Sequence, residues 1–253
     1  MTVAIFIPAR LESQRMSKKP LQQIDGRPMI SHVIDRALEA KAGKVIVATD
    51  SVEIMSVINQ EGVECCMTSK EHPSGSDRVY EALEKIDPKK TIKYVVNLQG
   101  DLPLIKPKLI NDLIKKTLDS SADVITLAYP IPQKDIGKAG NENVAKVAIS
   151  FYDDTRKFGK ALYFSRQPIP YNASTYYEHI GIYLFKREAL EKFVNLSNSG
   201  LEKTERLEQL RLLENNMTID VLITDIPTVN VDTEEDLEKA RAEVDSIKKS
   251  VIA

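Results

Sequence analysis

Over roughly the first 130 residues, short apolar runs alternate with stretches of helical period. That alternation limits the fold more than any single motif does. Val3–Ile7 is a continuous apolar run closed by Pro8, which predicts a buried strand. From Pro28 to Ala40, Met29, Ile30, Val33, Ile34, Ala37 and Leu38 recur at helical spacing, with Pro28 suited to the first turn. Lys44–Asp50 reads as a second strand. The stretch after it reads as a helix with Ser51 as N-cap and Gly62 as stop. Val63–Met67 is a third strand, and a helix follows with Val79, Leu83 and Ile86 on one face. Lys93–Asp101 is a fourth strand and Pro107–Leu118 another helix. Such alternation means βαβ units and a mostly parallel sheet.

The order then changes. The runs VITLAYPI, VAKVAISF, KALYFS and EHIGIYLF are strand-like with little helix between them, so an antiparallel or mixed subregion is expected at about 130–200. Helices are expected near 186–195 and 204–215, a late strand in TIDVLIT, and a charged final helix opened by Thr233 and Asp236 as a capping box. The 253 residues suit one large α/β domain spanning 1–253, or a domain with a small subdomain.

A net charge of −2 gives no global support for binding nucleic acid, so no nucleic-acid partner is expected. Only two cysteines exist, Cys65 and Cys66, and neighbours rarely bridge; a reducing compartment is expected. His32, His72 and His179 are too scattered to suggest zinc. No run approaches the roughly 20 apolar residues that span a bilayer, and Val3–Ile7 is too short for a signal segment. A cytoplasmic protein without a membrane partner is the expectation.

In open parallel sheets, ligands bind beyond the carboxyl ends of the strands. The first strand delivers Arg10, Ser13, Arg15 and Lys19 to that rim; with Lys18 they make a basic loop in a near-neutral chain. The third strand leads to HPSGSDR, the fourth ends in NLQGD, and the late strand leads into NVDTEED. Arg and Lys with backbone N–H groups suit a polyphosphate. Asp101 and Asp232 would offer carboxylate oxygens to one magnesium ion. Each feature also has an ordinary reading. The basic loop alone reads as a solvated turn; it lacks the Gly-x-x-x-x-Gly-Lys-Ser/Thr pattern of a P-loop. Asp101 alone reads as a turn residue, Asp236 as a helix cap, Asp50 as a helix N-terminal residue, and SGSD as a common turn. Leu207, Leu210 and Leu213 form a core stripe that leaves Glu208 and Gln209 at the surface, and His179 reads as a core histidine.

Together these segments are more specific. In order along the chain, IPARLESQR, KPL, IDGRPMISHV, VIVATD, HPSGSDR, VVNLQGDLPLI, ALYFSRQPIP, HIGIYLFKREAL, LEKTERLEQLRLLE and NVDTEEDLEKA resemble the 3-deoxy-D-manno-octulosonate cytidylyltransferases, over about residues 3–242. The resemblance implies a three-layer Rossmann-like α/β nucleotidyltransferase with a mostly parallel central sheet, a small antiparallel dimerisation arm and a homodimer. It implies that CTP and an acidic sugar, 3-deoxy-manno-octulosonate, give a CMP-sugar and pyrophosphate with magnesium, for lipopolysaccharide or cell-wall polysaccharide synthesis. Arg10, Arg15 and Lys19 match the triphosphate signature and, with Asp101, the catalytic set. Ala9, Ser74, Gly75 and Gln99 complete the nucleotide site, with Ser74 and Gly75 in the segment that reads cytosine. Asp101 and Asp232 match the metal ligands, and Arg78, Arg166, His179, Tyr183, Glu208 and Gln209 line the sugar pocket.

Two departures stand out. The family commonly reads Pro-Gly-Lys-Pro-Leu where this chain has Ser17-Lys18-Lys19-Pro20-Leu21, which leaves open whether Lys18 or Lys19 meets phosphate. It commonly reads Gly-Asp-Glu-Pro where this chain has Gly100-Asp101-Leu102-Pro103. Leu102 raises the alternative of a modified acceptor, such as an amino-substituted octulosonate or another sugar acid. A nonulosonic acid, a sugar alcohol phosphate, or a nucleotide-binding module without turnover are the remaining alternatives.

Overall fold

A computed structural model describes residues 2–12 and 16–252. The chain divides into two compact units, one built from residues 1–111 and 228–253, the other from 112–227.

The first unit is the βαβ part. Its elements are β1 (Val3–Ala9), a two-residue pair β2 (Gln23–Ile24) and β3 (Arg27–Pro28), α1 (Met29–Glu39), β4 (Lys44–Thr49), α2 (Val52–Gln60), β5 (Glu64–Met67), α3 (Gly75–Ile86) and β6 (Tyr94–Leu98). β5, β4, β1 and β6 lie side by side in that order, all parallel. All seven residues of β1 are buried, as are Val45–Thr49 of β4, which is why both strands read as unbroken apolar runs. The helix starts follow local chemistry. Ser51 caps α2 by accepting the Ile54 N–H, and Gly62 (φ 70°) turns the chain out after it. α4 (Pro107–Lys116) crosses the boundary between the two units.

The second unit holds β7 (Val124–Pro130), β8 (Lys146–Phe151), β9 (Phe158–Ser165), β10 (Tyr177–Lys186), α5 (Arg187–Val194), α6 (Gly200–Glu205), α7 (Leu210–Glu214) and β11 (Ile219–Ile223). β10, β7, β11, β9 and β8 are adjacent in that order, and the Glu178–Lys146 pairing joins β10 back to β8. Only β7 and β11 run parallel; the pairs β10–β7, β11–β9, β8–β9 and β10–β8 are antiparallel. The sheet is therefore mixed. The expected mostly parallel sheet is confined to the first unit, because an apolar run looks the same whichever way its neighbour points.

α8 (Glu234–Ile252) returns to the first unit. Its buried face, Leu237 and Ala240, packs with Val231, Met16, Ile24 and Met29 in one apolar cluster. That cluster fastens the segment around Asp232 to the loop that follows β1. Among the described residues, no helix is long and apolar enough to cross a membrane.

Candidate functional site

The first unit contains a cavity of about 280 Å3 whose walls include Ala9, Arg10, Lys19, Ser74, Gly75, Arg78, Gln99, Asp101 and Asp232. Every sequence-expected nucleotide and metal residue that is described therefore borders one space. Arg15 lies outside the described residues, as does Ser13.

Lys19 opens a single 3-10 turn, Lys19–Leu21, with Pro20 as its second residue. Its Nζ lies 2.9 Å from Asp101 Oδ2 and 2.9 Å from Asp232 Oδ1. The two carboxylate oxygens, from positions 131 residues apart, are thus no farther from each other than twice that distance. Burial pushes the Lys19 ammonium down, but the two aspartates outweigh it and hold its pKa above the ordinary value. Lys18 does not share this role. Its Nζ lies 2.9 Å and 3.0 Å from the two oxygens of Glu53, and its backbone adopts φ 49°, ψ 37°.

Asp232 is held by what surrounds it. The Val231 N–H donates to the Asp101 carbonyl at 2.9 Å, tying the two aspartate segments together through the backbone. Asp236 Oδ2 accepts from the Asp232 N–H, the Thr233 N–H and the Thr233 hydroxyl, at 3.2, 3.0 and 2.8 Å. Thr233 Oγ1 in turn accepts the Asp236 N–H at 3.3 Å. Asp236 is the cap its spacing predicted, and it also fixes the backbone that carries Asp232.

The donor set suits a hard divalent cation. Magnesium takes one or two carboxylates and otherwise keeps water and phosphate oxygens. Two Asp oxygens already converge on one cationic atom, the Lys19 ammonium.

The cavity is also bordered by Pro8, His72, Ser74, Gly75, Arg78 and Gln99. Ser74 caps α3, accepting the Asp77 N–H at 3.3 Å and donating to Asp77 Oδ2 at 2.5 Å. A side chain at Gly75 would meet Pro8 Cγ at 3.3 Å and the Gln99 amide at 3.4 and 3.5 Å, so glycine is what lets this turn lie against both. A side chain at Gly100 would meet the Pro8 carbonyl at 3.1 Å. His72 borders the cavity and hydrogen-bonds Glu81. Burial pushes the Glu81 carboxyl up, yet hydrogen bonds from Lys85, the Ser69 N–H and His72 bring it down to about 2. Arg78, 3% exposed, donates to Asp50 at 2.8 Å and to the Thr68 hydroxyl at 2.6 Å. Asp50 reads from the sequence as a helix N-terminal residue, and no motif assigns a role to Thr68, His72 or Asn97. A signal for Asn97 was present: it is the one polar residue inside the apolar run of β6.

The remaining sugar-pocket expectations lie in the second unit. Arg166 donates to the carbonyls of Glu205 (3.0 Å) and Glu142 (2.8 Å), and its N–H donates to Glu205 Oε2 at 2.9 Å. Lys146, fully buried, donates to the carbonyls of Asn141, Val144 and Arg166; burial and the Arg166 charge bring it down to about 8. His179 shares a 2.9 Å hydrogen bond with Thr126 Oγ1 and packs edge-on against Phe164. Burial pushes its imidazole down to about 3, so it is neutral near pH 7. The Tyr183 hydroxyl donates to Gln209 Oε1 at 3.1 Å, and burial, then the Glu208 charge, hold its pKa well above the ordinary value. Gln209 is 3% exposed and Glu208 half-buried, which corrects the surface placement read from helical spacing. The reason is local: α7 begins only at Leu210, so both residues sit in the turn before it.

Comparison with known proteins agrees with the geometry. The family model described as Cytidylyltransferase matches residues 4–219. The chain is 48% identical over 241 residues to 3-deoxy-manno-octulosonate cytidylyltransferase of Brucella suis, covering 95% of each chain. It is 43% identical over 242 residues to the enzyme of the same name from Paramagnetospirillum magneticum, covering 96% of this chain and 97% of that one. Among solved structures, CMP:2-keto-3-deoxy-manno-octonic acid synthetase complexed with CTP superposes with a TM-score of 0.86 at 36% identity, over 97% of this chain and 99% of that chain. A cytidylyltransferase from Leptospira borgpetersenii, 16% identical with a TM-score of 0.62 over 96% of this chain and 86% of that one, shares the fold.

Proposed function

The chain belongs to the cytidylyltransferase family, and from that premise we propose that it activates 3-deoxy-D-manno-octulosonate with CTP, forming the CMP-sugar and releasing pyrophosphate. The observation that carries this reading is the bridge from Lys19 to both Asp101 and Asp232 in the wall of the cavity that Arg10, Ser74, Gly75 and Gln99 also line.

In this reading the anomeric hydroxyl of the sugar attacks the α-phosphorus in line. The new O–P bond forms as the bond to the β-phosphate oxygen breaks; pyrophosphate leaves with the electron pair, and the hydroxyl proton passes to solvent water. Arg10, Arg15 and Lys19 meet the charge of the triphosphate, which is greatest as the leaving group departs. Asp101 and Asp232 would hold a magnesium ion, which when bound supplies charge neutralisation at the phosphates. Lys19 neutralises the two carboxylates until ligand arrives and then exchanges them for phosphate oxygens. Ala9, Ser74, Gly75 and Gln99 hold the nucleoside. Arg78, Arg166, His179, Tyr183, Glu208 and Gln209 serve the acidic sugar, with neutral His179 and Tyr183 orienting hydroxyl groups.

Residues 1–253 work here as one nucleotidyltransferase, with the 130–200 region supplying sugar contacts and the arm of a homodimer. Lipopolysaccharide or cell-wall polysaccharide synthesis in the cytoplasm, without a membrane or nucleic-acid partner, is the setting that fits. Leu102 favours a second reading. It is apolar where relatives commonly carry an acid, and that residue type, in a side chain 1% exposed, is what raises a modified acceptor such as an amino-substituted octulosonate. Incubation with CTP, magnesium and a panel of sugar acids, with the product identified by mass, tests both. CMP-octulosonate supports the first reading, a CMP-linked modified acid alone supports the second, and no CMP-sugar from any acceptor overturns both.

A further inference from the structure

Asn97 is completely buried in β6, yet it is polar. Buried amides are kept when their hydrogen bonds fix something. Asn97 Nδ2 donates to Ser76 Oγ at 3.0 Å, and Ser76 is itself 1% exposed, on the first turn of α3. Asn97 Oδ1 accepts from Gln99 Nε2 at 3.2 Å. A chain of hydrogen bonds thus runs from the interior to Gln99, which borders the cavity beside Gly75.

The direction of that chain has a chemical consequence. One N–H of the Gln99 amide is spent on Asn97. What remains is the Oε1 acceptor and one N–H donor. An amide edge of this polarity pairs with a base that offers a donor next to an acceptor. Cytosine offers that pair, its N4 amino group beside N3. Uracil offers the reverse, the O4 carbonyl beside N3–H. The same glutamine turned over would pair with uracil equally well. Gln99 borders the cavity together with Ser74, Gly75 and Pro8, the residues given to the nucleoside in the proposed function and their neighbour.

We propose that Asn97, held by Ser76, is a positioning residue that fixes the polarity of the Gln99 amide and so makes the site select cytosine over uracil. This rests on the proposed function and adds to it the element that sets base specificity.

The test is calorimetric binding of CTP and UTP to the whole chain with magnesium, comparing wild type with Asn97→Leu, Asn97→Asp and Ser76→Ala. The ratio of the two affinities is read, because an inactive fraction alters stoichiometry and leaves that ratio unchanged. The expected result is a ratio lowered at least about tenfold in Asn97→Leu and in Ser76→Ala, since a site that pairs with a base edge loses discrimination when its polarity is free to invert. Asn97→Asp keeps an acceptor facing Gln99 Nε2 and retains the CTP preference in the protein that folds. A wild-type ratio in either Asn97→Leu or Ser76→Ala overturns the inference. Absence of CTP binding by the wild-type protein overturns the proposed function itself, and the inference with it.

Discussion

Lys18 holds a left-handed backbone, φ 49° and ψ 37°, while its ammonium reaches both carboxylate oxygens of Glu53 on α2, 2.9 and 3.0 Å away. This accounts for one departure from the related sequences. The position where relatives commonly carry glycine keeps a conformation that glycine adopts freely and that costs a side-chain-bearing residue about 1–2 kcal/mol. The Glu53 pair recovers little, since both side chains are about half exposed and such pairs contribute about 0–1 kcal/mol. Lys18→Gly is therefore expected to change stability by less than about 1 kcal/mol and to leave cytidylyl transfer within a few-fold of wild type. Urea denaturation and steady-state rates check it; a loss of activity matching that of Lys19→Ala would place Lys18 on the phosphates instead.

The cap of α8 is expected to act at a distance. Asp236→Ala removes three hydrogen bonds from the Asp232–Thr233 segment and costs about 1 kcal/mol of stability. It also frees the backbone that carries Asp232. A magnesium titration of activity should show a higher half-saturating concentration, whereas an effect confined to stability would mean that the cap only ends a helix.

His179 sets an acid limit. Its folded pKa lies near 3, below the usual 6.5, so between those values the unfolded chain binds a proton that the native chain refuses. Stability is then lost as pH falls from 6.5 toward 3, by at most about 1.4 kcal/mol per pH unit from this group. Urea midpoints at pH 7, 6 and 5 should fall in wild type and fall less steeply in His179→Gln. Parallel slopes would show that His179 is protonated in the folded protein.

The turn bearing Glu208 and Gln209 depends on a buried pair. Arg211, 1% exposed, donates to both oxygens of Glu202 at 2.8 and 2.5 Å and stacks over Phe193. Arg211→Ala leaves a buried carboxylate without this partner and should destabilise the protein by about 3–5 kcal/mol. Arg211→Met together with Glu202→Leu should recover much of that loss in thermal denaturation.

Much of the first unit was legible because a strand buried on both faces must be apolar throughout, as β1 is, and because Ser51, Gly62 and the Thr233–Asp236 box announce helix ends. The approach of Lys19 to Asp232, 213 residues away, followed only from the rule that ligands gather beyond strand ends. Gln209 was misplaced because a five-residue helix is too short for periodicity to locate its first turn. The β2–β3 pair, two residues on each side, carries no period at all. Strand direction in the second unit is set by the connections between strands, and the runs themselves do not encode it. The Asn97–Gln99 hydrogen bond joins a buried residue of β6 to the residue just past the end of that strand, and nothing in the sequence pattern announces it.

The central claim is that Asp101 and Asp232 act as one unit beside the nucleotide. A double-mutant cycle on cytidylyl transfer, using Asp101→Asn, Asp232→Asn and the double variant at saturating magnesium, tests it most directly. Residues acting as a unit give strongly non-additive losses. Each single variant should lose at least about a hundredfold in rate, and the double variant should lose little more. A single variant near the wild-type rate, or losses that multiply in the double variant, would contradict the account.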